Sequence, residues 1–402
     1  MFRYLLLSTL LWASPLWAAT FTVESAVSHA IKNNPDLAAA RYTIEEARGR
    51  VIQSGRLSNP ELESELKPNV RGRGEFSFSV GFTQRFPLTK RLWFERAISE
   101  AELRVAEAEV LNGGRLLSVD VRSAAIRLIA LRRQKELKEI QRKNSSELAT
   151  AAKGMAKQGL GSELDVTQLE LEARQLSLEL LQADSEIATL TGTLRPLLGV
   201  KPTEPITITG DLQAPIPVKT GASPPQRADY RAALEKESAA RTSIDLAKAG
   251  KWEDAGFGLS ADIDRAEDAP EGRETDGFIG FKFSLPLPFW NKNEGKIHEA
   301  TAAANRASKE RQALGLKIRS EAEAARAEME AAARIVSESS GPGLSKALEF
   351  ETSVRKAKDE AKATFTDVLR AREKRLAFEA AHLTALRDYH LARVRLMAAQ
   401  GR

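Results

Sequence analysis

The chain has 402 residues, no cysteine, only 6% aromatic residues and a formal net charge of +5. Without cysteine there is no disulfide framework, no cysteine-bound zinc and no thiol nucleophile. Basic and acidic residues are interleaved along the chain, which reads as solvated helix faces and argues against a nucleic-acid patch. Abundant Ala, Leu, Glu, Arg and Lys point to long helices.

Residues 1–18 read as a secretory signal peptide. Arg3 gives the positive start, Tyr4 to Trp12 the apolar stretch, and Ala18 the small residue before the cut. That stretch is too short to span a bilayer as a helix, which takes about 20 residues. No later segment is long and apolar enough to do so. The expected mature protein is exported, with a first structural repeat over 19–199, a connecting segment over 200–226 and a second repeat over 227–402.

The first repeat opens with a helical segment to about Gln53, with Asn34 as a cap and Pro35 at the first helical position. A strand pair follows within about 60–88. Phe76, Phe78, Val80 and Phe82 alternate with Ser77, Ser79, Gly81 and Thr83, so one face is apolar and the other polar. Leu62 to Leu66 is the weaker partner strand, joined through a polar link at Pro68 to Gly74. After Pro87-Leu88, residues 90–158 read as one long helix with Gly113-Gly114 as its only weak point. A sharp turn at Gly159 to Asp165 sends the chain back along a return helix to 198. There Val166, Leu169, Ala173, Leu176, Leu180, Ala183, Ile187 and Leu190 follow the 3-4 spacing of a coiled-coil seam. Leu164, Leu171 and Leu178 form a second line seven residues apart. A helix with two seams can touch a neighbour on each side.

Residues 200–226 are rich in proline and read as a connection with one short strand at Ile206 to Ile208. The second repeat then restates the first. After a helix, a strand pair within about 254–288 alternates again, through Phe257, Leu259, Ala261 and Ile263 and through Ile279, Phe281, Phe283 and Leu285. A polar link is expected at Arg265 to Asp276. Pro286-Leu287 enters a long helical hairpin over 289–400, interrupted at Gly341-Pro342-Gly343. Pro87 and Pro286 mark the same step in the two copies, and such duplication has to be recognised before the fold can be read.

Both helical turns set a hydroxyl three residues before an aspartate, Ser162 with Asp165 and Thr364 with Asp367. This is a capping-box pattern, which by itself only starts a helix. The same residues could also dock a partner or carry charge at a pore mouth. The strands likewise admit two readings. A half-buried soluble sheet would show this alternation, and so would the lipid-facing strands of a barrel. Four strands cannot close a barrel, and an open edge cannot exist in lipid. In a membrane, several chains would have to share one barrel, and a trimer would supply an even number of about twelve strands.

Asn34-Pro35-Asp36-Leu37, Gln84 to Arg91, Leu285 to Gly295 and the two turns ending in Asp165-Val166 and Asp367-Val368 resemble, in this order, the TolC-like outer membrane efflux proteins. The chain looks most like the CzcC-like branch, the outer membrane subunits of heavy-metal exporters. The resemblance covers nearly all of the mature chain. It implies a mainly α fold with a β-barrel part. Three chains of four strands each would form a twelve-stranded outer membrane barrel, continuous with a long periplasmic α-helical barrel. It implies a homotrimer, no enzyme activity and no cofactor, with outer membrane lipid around the barrel. The partners implied are a periplasmic adaptor and an inner-membrane resistance-nodulation-division pump. Carried over by position, adaptor contact falls on Gly159, Gly161, Ser162, Asp165 and Val166, and on Thr366, Asp367 and Val368. The chain departs from the pattern in two places: there is no cysteine to carry a lipid, and the second turn lacks the glycine of the first.

Three functions remain distinct at this stage. One is a passive duct for metal cations, or for drugs and other small organics, driven by a partner because no phosphate-binding loop occurs. A periplasmic coiled-coil adaptor or scaffold would share the helices but not need the strands. An enzyme would have to work through His29, His298, His382 or His390, and no nucleophile constellation accompanies them.

Overall fold

The computed structural model describes residues 19–70, 75–159, 161–215, 227–268 and 272–401. The expected signal peptide and the end of the proline-rich connection lie outside the described residues. In chain order the elements are β1 (Ala19–Phe21), α1 (Val23–Asn33), α2 (Pro35–Gln53), β2 (Glu61–Pro68), β3 (Phe76–Phe86), α3 (Arg91–Lys157), α4 (Glu163–Leu198) and β4 (Ile206–Ile208). They continue with α5 (Ala228–Ala249), β5 (Ala255–Asp268), β6 (Gly272–Ser284), α6 (Glu294–Glu338), a π-helical segment (Ser339–Gly343), α7 (Leu344–Asp359) and α8 (Phe365–Ala399). The chain divides into two compact units. One comprises 1–39, 113–225 and 318–402; the other comprises 40–112 and 226–317.

The first unit holds the helical hairpins. Its core is the line Val121, Ala125 and Leu128 on α3, with Leu194 and Leu198 on α4 and Leu376, Tyr389 and Leu396 on α8, all essentially inaccessible to water. Asn34 does more here than cap. Its Oδ1 accepts from the Leu37 N–H at 2.8 Å, starting α2. Its Nδ2 donates to the carbonyls of Pro196 and Leu197 at 3.2 and 3.1 Å, adding to the Gly199 N–H that already serves Pro196 at the end of α4. Gly199 ends α4 in the left-handed region, where a Cβ would come within 2.2 Å of the Asn33 carbonyl. The short strand expected at Ile206 to Ile208 forms. Its parallel partner is β1, a three-residue strand too short to carry a readable alternation.

α3 runs through Gly113-Gly114 without a break. The Gly341-Pro342-Gly343 interruption is absorbed as a π segment, as an added residue in a helix commonly is. Nearby, Glu351 is buried and held by Arg375 and Arg355, which keeps a buried charge compensated.

The second unit holds the strands and the helices that feed them. β2, β3, β5 and β6 form one antiparallel sheet in that order. β3 pairs with β5, so the two repeats are joined edge to edge. The link expected at Arg265 to Asp276 is strand instead: β5 runs to Asp268 and β6 starts at Gly272, with Arg265 paired to Thr275. Polar residues on both faces made the outer end of this hairpin read as loop. In the same unit, Glu237 of α5 is almost fully buried and accepts from Arg311 and Arg241. Arg311 also donates to Tyr230 Oη at 2.8 Å. These hydrogen bonds, the Arg311 bond above all, hold the Glu237 carboxyl below the usual range.

Candidate functional site

The sheet register sorts the strand residues into two faces. Leu62 pairs with Phe82, Phe82 with Leu259, and Leu259 with Phe281. The next rows on this face hold Val80, Ala261 and Ile279, then Leu66, Phe78 and Ile263. Phe86, Phe257 and Phe283 continue it with rings 5.8 and 5.0 Å apart. The face is uncovered: Phe281 is 88% exposed and Ile279 76%. The opposite face carries Ser77, Ser79, Thr83, Ser260 and Ser284 among acids at Glu61, Glu63, Glu65, Asp262, Asp264 and Asp276. Bases there are fewer, at Lys67, Arg85 and Lys282. Gly280 on this face leaves room for Ser260, whose Oγ would lie 2.6 Å from a Cβ. Among the described strands, β2 and β6 each have one edge without a partner.

The two helical turns carry all the residues expected to dock a partner. Gly159, Gly161, Ser162, Asp165 and Val166 stand together at the α3–α4 turn. Thr366, Asp367 and Val368 stand in the first turn of α8. No hydrogen bond or ion pair among the described residues joins one set to the other.

The turns differ in their chemistry. At the second, the capping box is complete. Thr364 Oγ1 accepts from the Asp367 N–H at 3.2 Å, and Asp367 Oδ2 accepts from the Thr364 N–H at 2.9 Å. The Thr364 hydroxyl, then its amide, hold the Asp367 carboxyl below the usual range. At the first turn the expected box does not form. Ser162 Oγ accepts from the Leu164 N–H at 3.1 Å, and Asp165 is left free to face outward. The missing glycine of the second turn is replaced without loss of geometry: Ala361 adopts φ +57°.

Sequence reading missed one further pair. Glu172 of α4 and Glu373 of α8 share a hydrogen bond, and burial together with Glu172 raises the Glu373 carboxyl to about 7, against the pull of Arg370. Each glutamate sits unremarked in a helical pattern, and only the packing of α4 and α8 brings them together.

The histidines form no common site. His382 Nδ1 lies 2.9 Å from Ser339 Oγ, and His390 Nε2 2.9 Å from the Gln213 carbonyl. No group of three or more His, Asp or Glu that could hold a metal occurs among the described residues.

Residues 26–200 match the sequence profile described as outer membrane efflux protein. That stretch, less than half of the chain, is similar to the outer membrane efflux protein family. No curated protein sequence matches the chain. Among solved structures, CusC matches with a TM-score of 0.77 at 19% identity, over 94% of this chain and 92% of that one. VceC of Vibrio cholerae matches with a TM-score of 0.71 at 20% identity, over 94% and 96%. The outer membrane channel CmeC of Campylobacter jejuni matches with 0.74 at 14% identity, over 94% and 85%. The fold is therefore that of the TolC-like outer membrane channels over both repeats. No helix among the described residues is long and apolar enough to cross a bilayer.

Proposed function

We propose that the protein is the outer membrane duct of a tripartite efflux system. Three copies close their four-stranded sheets into one twelve-stranded barrel, and their helical hairpins line a periplasmic tube. The observation that carries this reading is the sheet itself, with an exposed face of mainly apolar side chains, interrupted by Ser64, Gln84, Arg265 and Thr275, and unpaired edges at β2 and β6. In lipid every such edge has to find a partner strand, and a second copy's complementary edge supplies one. The second line of leucines supports the same assembly. Leu164, Leu171 and Leu178 are 76, 62 and 62% exposed on α4, uncovered in a single chain and available to a neighbour's helix.

In this reading the duct is passive. Energy comes from an inner-membrane resistance-nodulation-division pump reached through a periplasmic adaptor. Gly159, Gly161, Ser162, Asp165, Val166, Thr366, Asp367 and Val368 face that adaptor. The polar sheet face lines the pore. Its surplus of carboxylates raises the local concentration of cations, which favours a cationic cargo and accords with metal ions, as in the CzcC-like branch.

Reconstitution tests the assignment. The purified protein is expected to be a trimer in detergent and, once opened, to conduct in planar bilayers. Its reversal potential in a salt gradient should report cation preference. Cells lacking the gene should become sensitive to metal cations rather than to organic drugs. A soluble monomer that washes off membranes would instead identify a periplasmic scaffold, and drug sensitivity alone would assign organic cargo.

A further inference from the structure

The loop from Leu285 to Asn293, between β6 and α6, presents its largest side chains to the outside. Trp290 is 95% exposed, Phe289 68% and Leu287 51%. The two rings stand edge to face, 6.1 Å apart. The loop is braced rather than loose. Asn293 takes a left-handed φ of +60°, its N–H donates to Asn291 Oδ1 at 3.0 Å, and its Nδ2 donates to the Ala247 carbonyl at the end of α5 at 2.6 Å. The Phe289 N–H donates to the Leu287 carbonyl at 2.9 Å. The backbone thus fixes the aromatic pair in an exposed position that no contact in the chain rewards.

Two neighbouring features indicate what covers it. Through Phe281 and Phe283 the apolar sheet face leads directly into this loop. Beneath Trp290 lies a cleft of about 190 Å³ lined by Lys251, Glu253, Asn291 and Pro288. Lys251 and Lys292 have no ion-pair partner among the described residues. An amphipathic indole at the end of an apolar barrel face belongs at the level of lipid headgroups. A cleft holding both a lysine and a glutamate matches a headgroup that carries both a phosphate and an ammonium.

We propose that this loop is a lipid seat: Phe289 and Trp290 enter the headgroup and glycerol region of the periplasm-facing leaflet, and the cleft takes one zwitterionic phospholipid headgroup, its phosphate on Lys251 and its ammonium on Glu253. The assignment rests on the outer membrane reading above.

Tryptophan fluorescence tests it. The mature chain with Trp93→Phe and Trp252→Phe keeps Trp290 as its only indole outside the leader. It is reconstituted as the trimer into phosphatidylethanolamine vesicles with a minority of phosphatidylglycerol. A nitroxide at the headgroup should quench Trp290 more than one deep in the acyl chain, and iodide should quench it less than in detergent. Lys251→Glu, which sets two acids in the cleft, should lower headgroup quenching roughly twofold. Quenching by iodide but by neither lipid label would overturn the seat, as would quenching indifferent to Lys251. A parallel chain with Trp290→Phe and Phe281→Trp as its sole indole separates the two readings. Deep quenching of that indole with none at Trp290 leaves the barrel standing and removes the seat; absence of lipid quenching at both removes both.

Discussion

Ala361 occupies at φ +57° the helix-ending position that Gly159 occupies at φ +73° in the other turn. The surrounding bonds are the same in kind: the Ala361 N–H donates to the Lys358 carbonyl, as the Gly159 N–H does to that of Ala156. The Lys362 N–H closes the motif on the Ala357 carbonyl at 2.7 Å. An alanine held left-handed costs about 1 kcal/mol relative to an unstrained residue. Ala361→Gly is expected to tighten the second turn, and Gly159→Ala to loosen the first, each by about 1 kcal/mol. Trypsin reads this directly: cleavage after Lys358 and Lys362 should slow in the first variant, and cleavage after Lys157 should quicken in the second.

The two caps allow stability and the proposed docking to be tested separately. Thr364→Ala removes a bonded cap and should lower the local stability of the first turn of α8 by about 1 kcal/mol, seen as faster amide exchange at Thr366 to Val368. Asp165→Ala removes no bond and should leave exchange along α4 unchanged. Efflux that falls in the Asp165 variant despite intact exchange would assign that carboxylate to the partner. Unchanged efflux would make it a solvated side chain.

The Glu172–Glu373 pair makes stability depend on pH in a stated direction. Glu373 titrates near 7 in the folded chain against an ordinary 4.5, so the folded state holds a proton that the unfolded state has released. This stabilisation is complete below pH 4.5 and is lost as pH rises through 7. Glu373→Gln should match the parent's thermal midpoint at pH 4, exceed it at pH 8, and flatten the profile between. A parallel profile in parent and variant would show that the pair does not share a proton.

Two leucines of α4 should respond differently. Leu194 is fully buried, and Leu194→Ala should cost about 2–5 kcal/mol of fold stability. Leu171 is exposed, and Leu171→Glu should leave the folded chain within about 0.5 kcal/mol of the parent while shifting its mass in detergent from trimer to monomer. Circular dichroism and light scattering on the same samples separate the two effects.

Phe281 sits mid-strand on the apolar face. Phe281→Lys near the bilayer midplane should cost about 2–4 kcal/mol and reduce the yield of trimer in proteoliposomes, whereas Ser260→Lys on the polar face should not. Equal yields would reverse the assignment of the two faces.

Much of this architecture is legible because it is periodic. The period of two in Phe76 to Phe82 and the 3-4 spacing from Val166 to Leu190 both name their elements, and Asn34-Pro35 names a helix start. What stays hidden depends on register between distant segments. The β3–β5 pairing has no local signal, nor does the approach of Glu172 to Glu373. The polar ends of β5 and β6 lack the alternation that would have marked them as strand. The turns mislead for another reason. Ser162 to Asp165 and Thr364 to Asp367 are spelled alike, yet the second forms a full box and the first a single hydrogen bond from the Leu164 N–H.

The free edges of β2 and β6 have a kinetic meaning as well as a geometric one. In the proposed barrel, a chain whose sheet is completed by other chains cannot finish folding alone in lipid. Its insertion is then a reaction among several molecules, with a rate that falls steeply on dilution. A cell making few copies would accumulate unassembled chains exposed to periplasmic proteases. Modest overproduction would raise the assembled fraction more than in proportion to the added protein.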